Sequence, residues 1–175
     1  MTASSGPGAV TLRGLRSPAM ADDTYTVERS TTIAAPPHRV YEQIADLRNW
    51  PNWSPWEDLD PDLRRTYSGP AAGTGAVYEW SGNRRAGEGR MEITRAENPS
   101  DVAIALDFVR PFKSHSETAF TIGPVEDGSR VTWRMTGRRT LGLRIFGIFR
   151  SMESLVGKDF EKGLARLKAH TEAAS

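Results

Sequence analysis

At 175 residues, with a net charge of +1 and no cysteine, the chain is sized for one domain and excludes disulfides, zinc–thiolate sites, iron–sulfur clusters and thiol nucleophiles. Near-neutrality removes the basic excess that nucleic-acid binding draws on, and no apolar run approaches the roughly 20 residues of a membrane span. Residues 1–22 hold Gly, Pro and Ser, and Thr11, Arg13 and Gly14 interrupt the only stretch resembling a secretory signal. They read as a disordered tail with Met20 as an alternative start. A cytoplasmic location and one folded domain over residues 23–173 are expected.

From Thr24, the residues Tyr25, Val27, Thr31 and Ile33 alternate as one face of a strand. Pro37 suits the first turn of a helix, and Val40, Tyr41, Ile44 and Leu47 recur at helical spacing, predicting a short helix over 37–47. Pro51 and Pro55 break any continuous helix through Trp50, Trp53 and Trp56, so 49–56 reads as a loop or one tight turn. An acidic stretch follows, Glu57 to Asp62, of which Asp58 to Asp62 reads as a solvated loop. Six strands follow, over 64–68, 74–81, 87–96, 102–110, 113–122 and 130–137, separated by turn sequences such as Gly82-Asn83, Asn98-Pro99 and Asp127-Gly128. Their short connections predict an antiparallel meander. Phe146, Phe149, Glu153, Val156, Phe160, Gly163, Leu164 and Leu167 trace one stripe of a long final helix, whose broad partner has to be the sheet.

Alternation assigns an inner face to each strand. Tyr78 and Trp80 share it, as do Met91 with Ile93, Ile104 with Leu106 and Phe108, Ser116 with Thr118, Phe120 and Ile122, and Val131 with Trp133 and Met135. These side chains either fill a core or line a cavity, and periodicity does not separate the two.

Several strings carry a family resemblance. They are Ile33-Ala34-Ala35-Pro36, Val40-Tyr41, Ile44-Ala45-Asp46, Trp50 to Trp56, Gly87 to Ile93, Arg110-Pro111-Phe112, Val131-Thr132-Trp133 and Gly157 to Lys168. Over Tyr25 to Glu172 the chain resembles the polyketide cyclase/dehydrase branch of the START/Bet v 1-like (SRPBCC) superfamily. The resemblance implies an α+β helix-grip fold: a seven-stranded curved antiparallel sheet around a long C-terminal helix, with two short helices after the first strand. It also implies an internal hydrophobic pocket, and much less about chemistry, because the fold hosts carriers and enzymes alike.

The motifs narrow the options. His115 and Glu117 share a strand face, but it is the outer one, where Glu117 is expected to pair with an arginine such as Arg134. Asp58 to Asp62 imitates the start of a calcium loop without its glycine and final glutamate. Gly73-Thr74-Gly75 and Gly87-Glu88-Gly89 precede strands, not helices, and read as bends rather than phosphate loops. No Gly-x-Ser-x-Gly string marks a nucleophile. No metal or cofactor is expected.

The leading reading is binding of a small hydrophobic molecule, aromatic or lipid-like, by a monomer or homodimer. Trp53, Tyr78, Trp80, Met91, Phe108, Phe120, Trp133, Met135, Phe149 and Met152 are the expected lining, with Ser116 and Thr118 joining Tyr78 as hydrogen-bonding groups. A polyketide cyclase or aromatase using the same pocket is the alternative. A lipid or quinone chaperone at a membrane surface, resting on the basic segment Arg138 to Arg150, is a third.

Overall fold

The computed structural model describes residues 24–138 and 149–174; the side chains of 149–152 fall outside that description. The expected N-terminal tail and most of the Arg138–Arg150 segment therefore lie outside the described residues.

Seven strands form one antiparallel, curved sheet. They are β1 (Thr24–Ile33), β2 (Arg64–Ser68), β3 (Val77–Ser81), β4 (Glu88–Glu97), β5 (Asp101–Arg110), β6 (Ser114–Val125) and β7 (Gly128–Arg138). Their spatial order is β1-β7-β6-β5-β4-β3-β2. Strands 2 to 7 are thus a meander, and β1 closes it by pairing with β7 from Thr24↔Arg138 to Ile33↔Ser129. Two register shifts in β4, at Glu88/Gly89 and Ile93/Arg95, interrupt the ladder; such bulges bend and twist a sheet. The chain leaves β1 at one edge and returns as β2 at the other, so everything between them has to cross the sheet's concave side. This is the helix-grip architecture that the resemblance implies.

That crossing segment begins with α1 (Pro37–Ala45), which has Pro at its first turn and buries Val40, Ile44 and Ala45. Here the structure differs from expectation. Helix α1 stops at Ala45, and Leu47–Asn52 forms a separate 3₁₀ helix carrying Pro51. Asp46 starts it by accepting the Arg48 backbone N–H through its side chain at 2.9 Å. A new helical turn tolerates a proline that a continuing α-helix would not. A second 3₁₀ turn, Glu57–Leu59, follows.

Other boundaries also move. Strand β3 starts at Val77 instead of Thr74, because Gly73 and Gly75 take positive φ of 78° and 89° in a turn, with Gly75 N–H bonded to Ile93 O. Glu117 lies opposite Thr136, whereas Arg134 lies opposite Ala119 and approaches Glu28 at 3.9 Å, so the expected Glu117–Arg134 pair does not form.

The final helix, α2 (Phe149–Ala173), lies against the concave face. Phe160, Leu164 and Leu167 are buried, as the stripe predicts. Glu153, placed on the same stripe, is exposed instead, and Phe146 lies outside the described residues. Helix α2 is tied to β1 and the crossing segment by polar contacts: Arg29 Nε to Glu161 at 2.8 Å, Lys168 Nζ to Thr32 O at 2.7 Å and Arg166 to Asp58.

Candidate functional site

The five tryptophans show how the concave side is organised, because a buried indole N–H has to find an acceptor. Trp50 Nε1 donates to Ile44 O at 3.0 Å and Trp53 Nε1 to Gln43 O at 3.1 Å, pinning the Leu47–Asn52 turn onto α1. Trp56 Nε1 donates to Asp159 on α2 at 3.3 Å, Trp80 Nε1 to Ala86 O at 3.1 Å and Trp133 Nε1 to Thr118 Oγ1 at 2.8 Å. Trp133 is the fulcrum: it stacks on Phe160 with centroids 4.0 Å apart and on Phe120 at 4.8 Å. Trp50 and Trp53 meet the same two sheet rings edge-on. This end is packed solid.

The other end is open. A cavity of about 330 Å³ lies between the sheet's inner face, the Ser54–Leu63 segment and Val156 of α2, within the range of about 300–1,000 Å³ that small-molecule sites occupy. Of the predicted lining, Tyr78, Trp80, Met91, Phe108, Ser116, Thr118, Trp133 and Met135 border it. Trp53 and Phe120 do not. Both are wholly buried, packed at the solid end where the two 47–53 tryptophans cover β6. Phe149 and Met152 lie in the first turn of α2, with side chains outside the described residues.

Gly89 shapes this wall. It lies opposite Trp80, and a Cβ built there would come within 2.4 Å of the Trp80 ring. The missing side chain is the seat on which the indole lies.

The polar side of the cavity contains a group that strand alternation does not reveal. Glu57 belongs to the 3₁₀ turn, yet it is only 8% exposed. Its Oε1 accepts the Tyr78 hydroxyl at 2.9 Å, and its Oε2 accepts Arg65 Nε at 2.7 Å. On β2, Arg65 and Tyr67 lie opposite Trp80 and Tyr78 in the ladder, and Tyr67 stacks on Tyr78 with centroids 5.1 Å apart. Burial first, and then the Glu57 charge beside it, hold the Tyr78 phenol protonated far above its ordinary value. Asp60 fixes the turn from below, accepting the backbone N–H of Asp62 at 2.9 Å and of Asn83 at 2.6 Å. The Asp58–Asp62 run is therefore no solvated loop: Asp60 is buried, and Asp58 pairs with Arg166.

Sequence reasoning missed Glu57, Trp56 and Tyr25 as cavity-lining residues. Tyr25 carries a signal, since alternation already turns it inward on β1. Glu57 offers only a weak one, an acid directly after Trp56. The predicted hydrogen-bonding groups are partly engaged already. Thr118 Oγ1 donates to Arg134 O at 3.0 Å and accepts from Trp133. Burial raises the pKa of the Tyr25 phenol, against the opposing effect of nearby Ser116. His115 and Glu117 point outward as expected, His115 sitting 2.7 Å from Asp107. Among the described residues, no group of three or more His, Asp or Glu is placed to hold a metal ion.

Residues 24–172 match the family described as "Polyketide cyclase / dehydrase and lipid transport". The chain belongs to this family. No curated protein matches its sequence. Among solved structures, this family member is similar to the di-domain ARO/CYC BexL from the BE-7585A biosynthetic pathway, with a TM-score of 0.65 and 12% identity over 87% of this chain and 52% of that one. It is also similar to TTHA0849 from Thermus thermophilus, at a TM-score of 0.63 and 18% identity over 86% of this chain and 99% of that one. Ara h 8.0201 follows at 0.59 and 11%, covering 86% and 99%. At these identities the likeness is one of fold. Among the described residues, no helix is long and apolar enough to cross a membrane.

Proposed function

We propose that the protein binds a small hydrophobic molecule, aromatic or lipid-like, in the cavity between sheet and C-terminal helix. One observation carries this reading: a cavity of about 330 Å³ walled by Trp56, Trp80, Met91, Leu106, Phe108 and Met135. Aromatic walls stack on planar ligands and methionines adapt to their outline. Native mass spectrometry of the purified protein, followed by extraction and identification of what it carries, tests the proposal. A stoichiometric small apolar molecule is the expected result. If the protein is empty and also fails to take up added naphthalene-type probes, the reading fails.

A second reading, a cyclase or aromatase acting on a polyketide-like substrate in the same cavity, is favoured by Glu57. It is the one carboxylate among the described lining residues, so it is the candidate to accept a proton from an enolisable carbon. Positioning a reactive chain in a shaped cavity would supply much of the rest. Incubation with an aryl poly-β-ketone thioester separates the readings: cyclised product that depends on Glu57 supports the enzyme, and unchanged recovery of the bound compound supports the carrier.

A further inference from the structure

The polar end of the cavity has a direction. Glu57 carries two oxygens with about four acceptor positions between them, and an ionised carboxylate donates nothing. Oε1 takes one hydrogen, from Tyr78, and Oε2 is covered by Arg65. Tyr78 has one hydrogen, and it is engaged by Glu57; what its oxygen still offers is a lone pair. Glu57 and Tyr78 both line the cavity, whereas Arg65 does not. The ion pair is therefore oriented with its acidic partner facing inward and its basic partner behind.

We infer that this end of the cavity is an acceptor-only site that selects ligands bearing a neutral hydroxyl, phenol or alcohol, and rejects carboxylates. The inference rests on the binding reading above and names the ligand class for it. A hydroxyl donates its hydrogen to Glu57 Oε1 or to the Tyr78 oxygen and completes the network. A carboxylate brings only lone pairs and meets two acceptors with no hydrogen to offer it at this end; the one cation among the described lining residues, Arg85, is exposed and screened by solvent. An ammonium fares poorly for a different reason. Glu57 is already neutralised by Arg65, so a second cation is stripped of water without gaining a free counter-charge. Buried polar groups built for one hydrogen-bond pattern discriminate strongly against analogues that cannot supply it.

Matched probes test this with the intact protein: 2-naphthol, 2-methoxynaphthalene, 2-naphthoate and 2-naphthylammonium-type amines of the same ring size, titrated by calorimetry. The naphthol is expected to bind at least about tenfold more tightly than the ether and the carboxylate, and more tightly than the amine. Glu57→Gln keeps the volume but places an amide donor in the wall, so the naphthol-to-naphthoate ratio should fall towards one. Tyr78→Phe, with Glu57 in place, should leave the carboxylate rejected and naphthol binding at wild-type strength or above, because it frees an acceptor position. Equal binding of all four probes by the wild-type protein overturns the acceptor-only site while leaving the cavity reading intact. Tighter binding of naphthoate overturns it as well, and so does a preference for the amine. Failure of every probe to bind overturns the cavity reading with it. The wild-type series decides the matter even if Glu57→Gln does not fold.

Discussion

Phe120 on β6 and Phe108 on β5 lie on the same concave face of one sheet, and their surroundings are opposite. Phe120 is wholly buried and in ring contact with Trp50, Trp53 and Trp133. Phe108 is partly exposed, meets Trp80 edge-on at 5.4 Å and borders the cavity. What differs is the covering layer. Over Phe120 lie the tryptophans of the Leu47–Asn52 region, fastened to α1 through their indole N–H groups. Over Phe108 lies the 3₁₀ turn with Glu57, which brings a hydrogen-bonded ion pair where the other end brings rings. An aromatic wall becomes a core or a binding site according to what its cover can fill.

Truncating the two phenylalanines is the strongest test of that contrast. Phe120→Ala should cost about 3–5 kcal/mol, the range for deleting a packed aromatic. Phe108→Ala should cost only about 1–2 kcal/mol, since one side of its ring already lacks partner atoms. Urea denaturation of both variants measures the difference, and equal losses would mean that the cavity is closed in solution.

The next largest effect concerns the cover. Arg65→Met removes the partner of a buried carboxylate and should destabilise by about 1–3 kcal/mol, less than a fully buried pair because Arg65 keeps some water. The double variant Arg65→Met/Glu57→Leu should recover part of that loss, since no uncompensated charge remains. A double variant less stable than Arg65→Met would contradict the pair's geometry.

Gly89→Ala probes the open end from the cavity wall. Its new Cβ displaces the Trp80 ring, so ligand affinity should fall severalfold while the unfolding free energy drops by about 1 kcal/mol or more. The same substitution at an unobstructed glycine such as Gly123, which has nothing within 4 Å of a built Cβ, should leave binding unchanged.

The smallest effect is a pH dependence. Tyr78 has its folded-state pKa raised above the ordinary 10.0. Its contribution to stability is complete below pH 10 and declines as the pH rises beyond that, where the unfolded phenol ionises and the folded one does not. Tyr78→Phe should flatten that alkaline decline, as measured by denaturation midpoints from pH 9 upward. All four tyrosines have raised values, so the native protein's phenolate absorbance should also appear at higher pH than the unfolded chain's.

Much of the cavity wall is legible without coordinates. Tyr78, Met91, Trp133 and Met135 follow from alternation alone, because a strand's two-residue period is a local property and each strand here has one wet face. The misplacement of Trp53 has a different origin: three tryptophans at a spacing of three look alike in sequence, yet Trp53 turns to the packed end and Trp56 to the cavity. Glu57 is missed for the same kind of reason. A three-residue 3₁₀ turn has no period, and in an acidic run a buried glutamate looks like its solvated neighbours.

Local chemistry set the order of elements, the inward face of each strand and the family, because turn residues, periodicity and short strings all act over a few positions. Which inward residues meet a core and which meet a cavity was settled in three dimensions. So was the meeting of Glu57 with Tyr78, 21 positions along the chain, and of Trp56 with Asp159, 103 positions along. Those outcomes depend on how an aperiodic cover docks across the sheet, and docking is settled by contacts between segments whose spacing in the chain carries no trace of it.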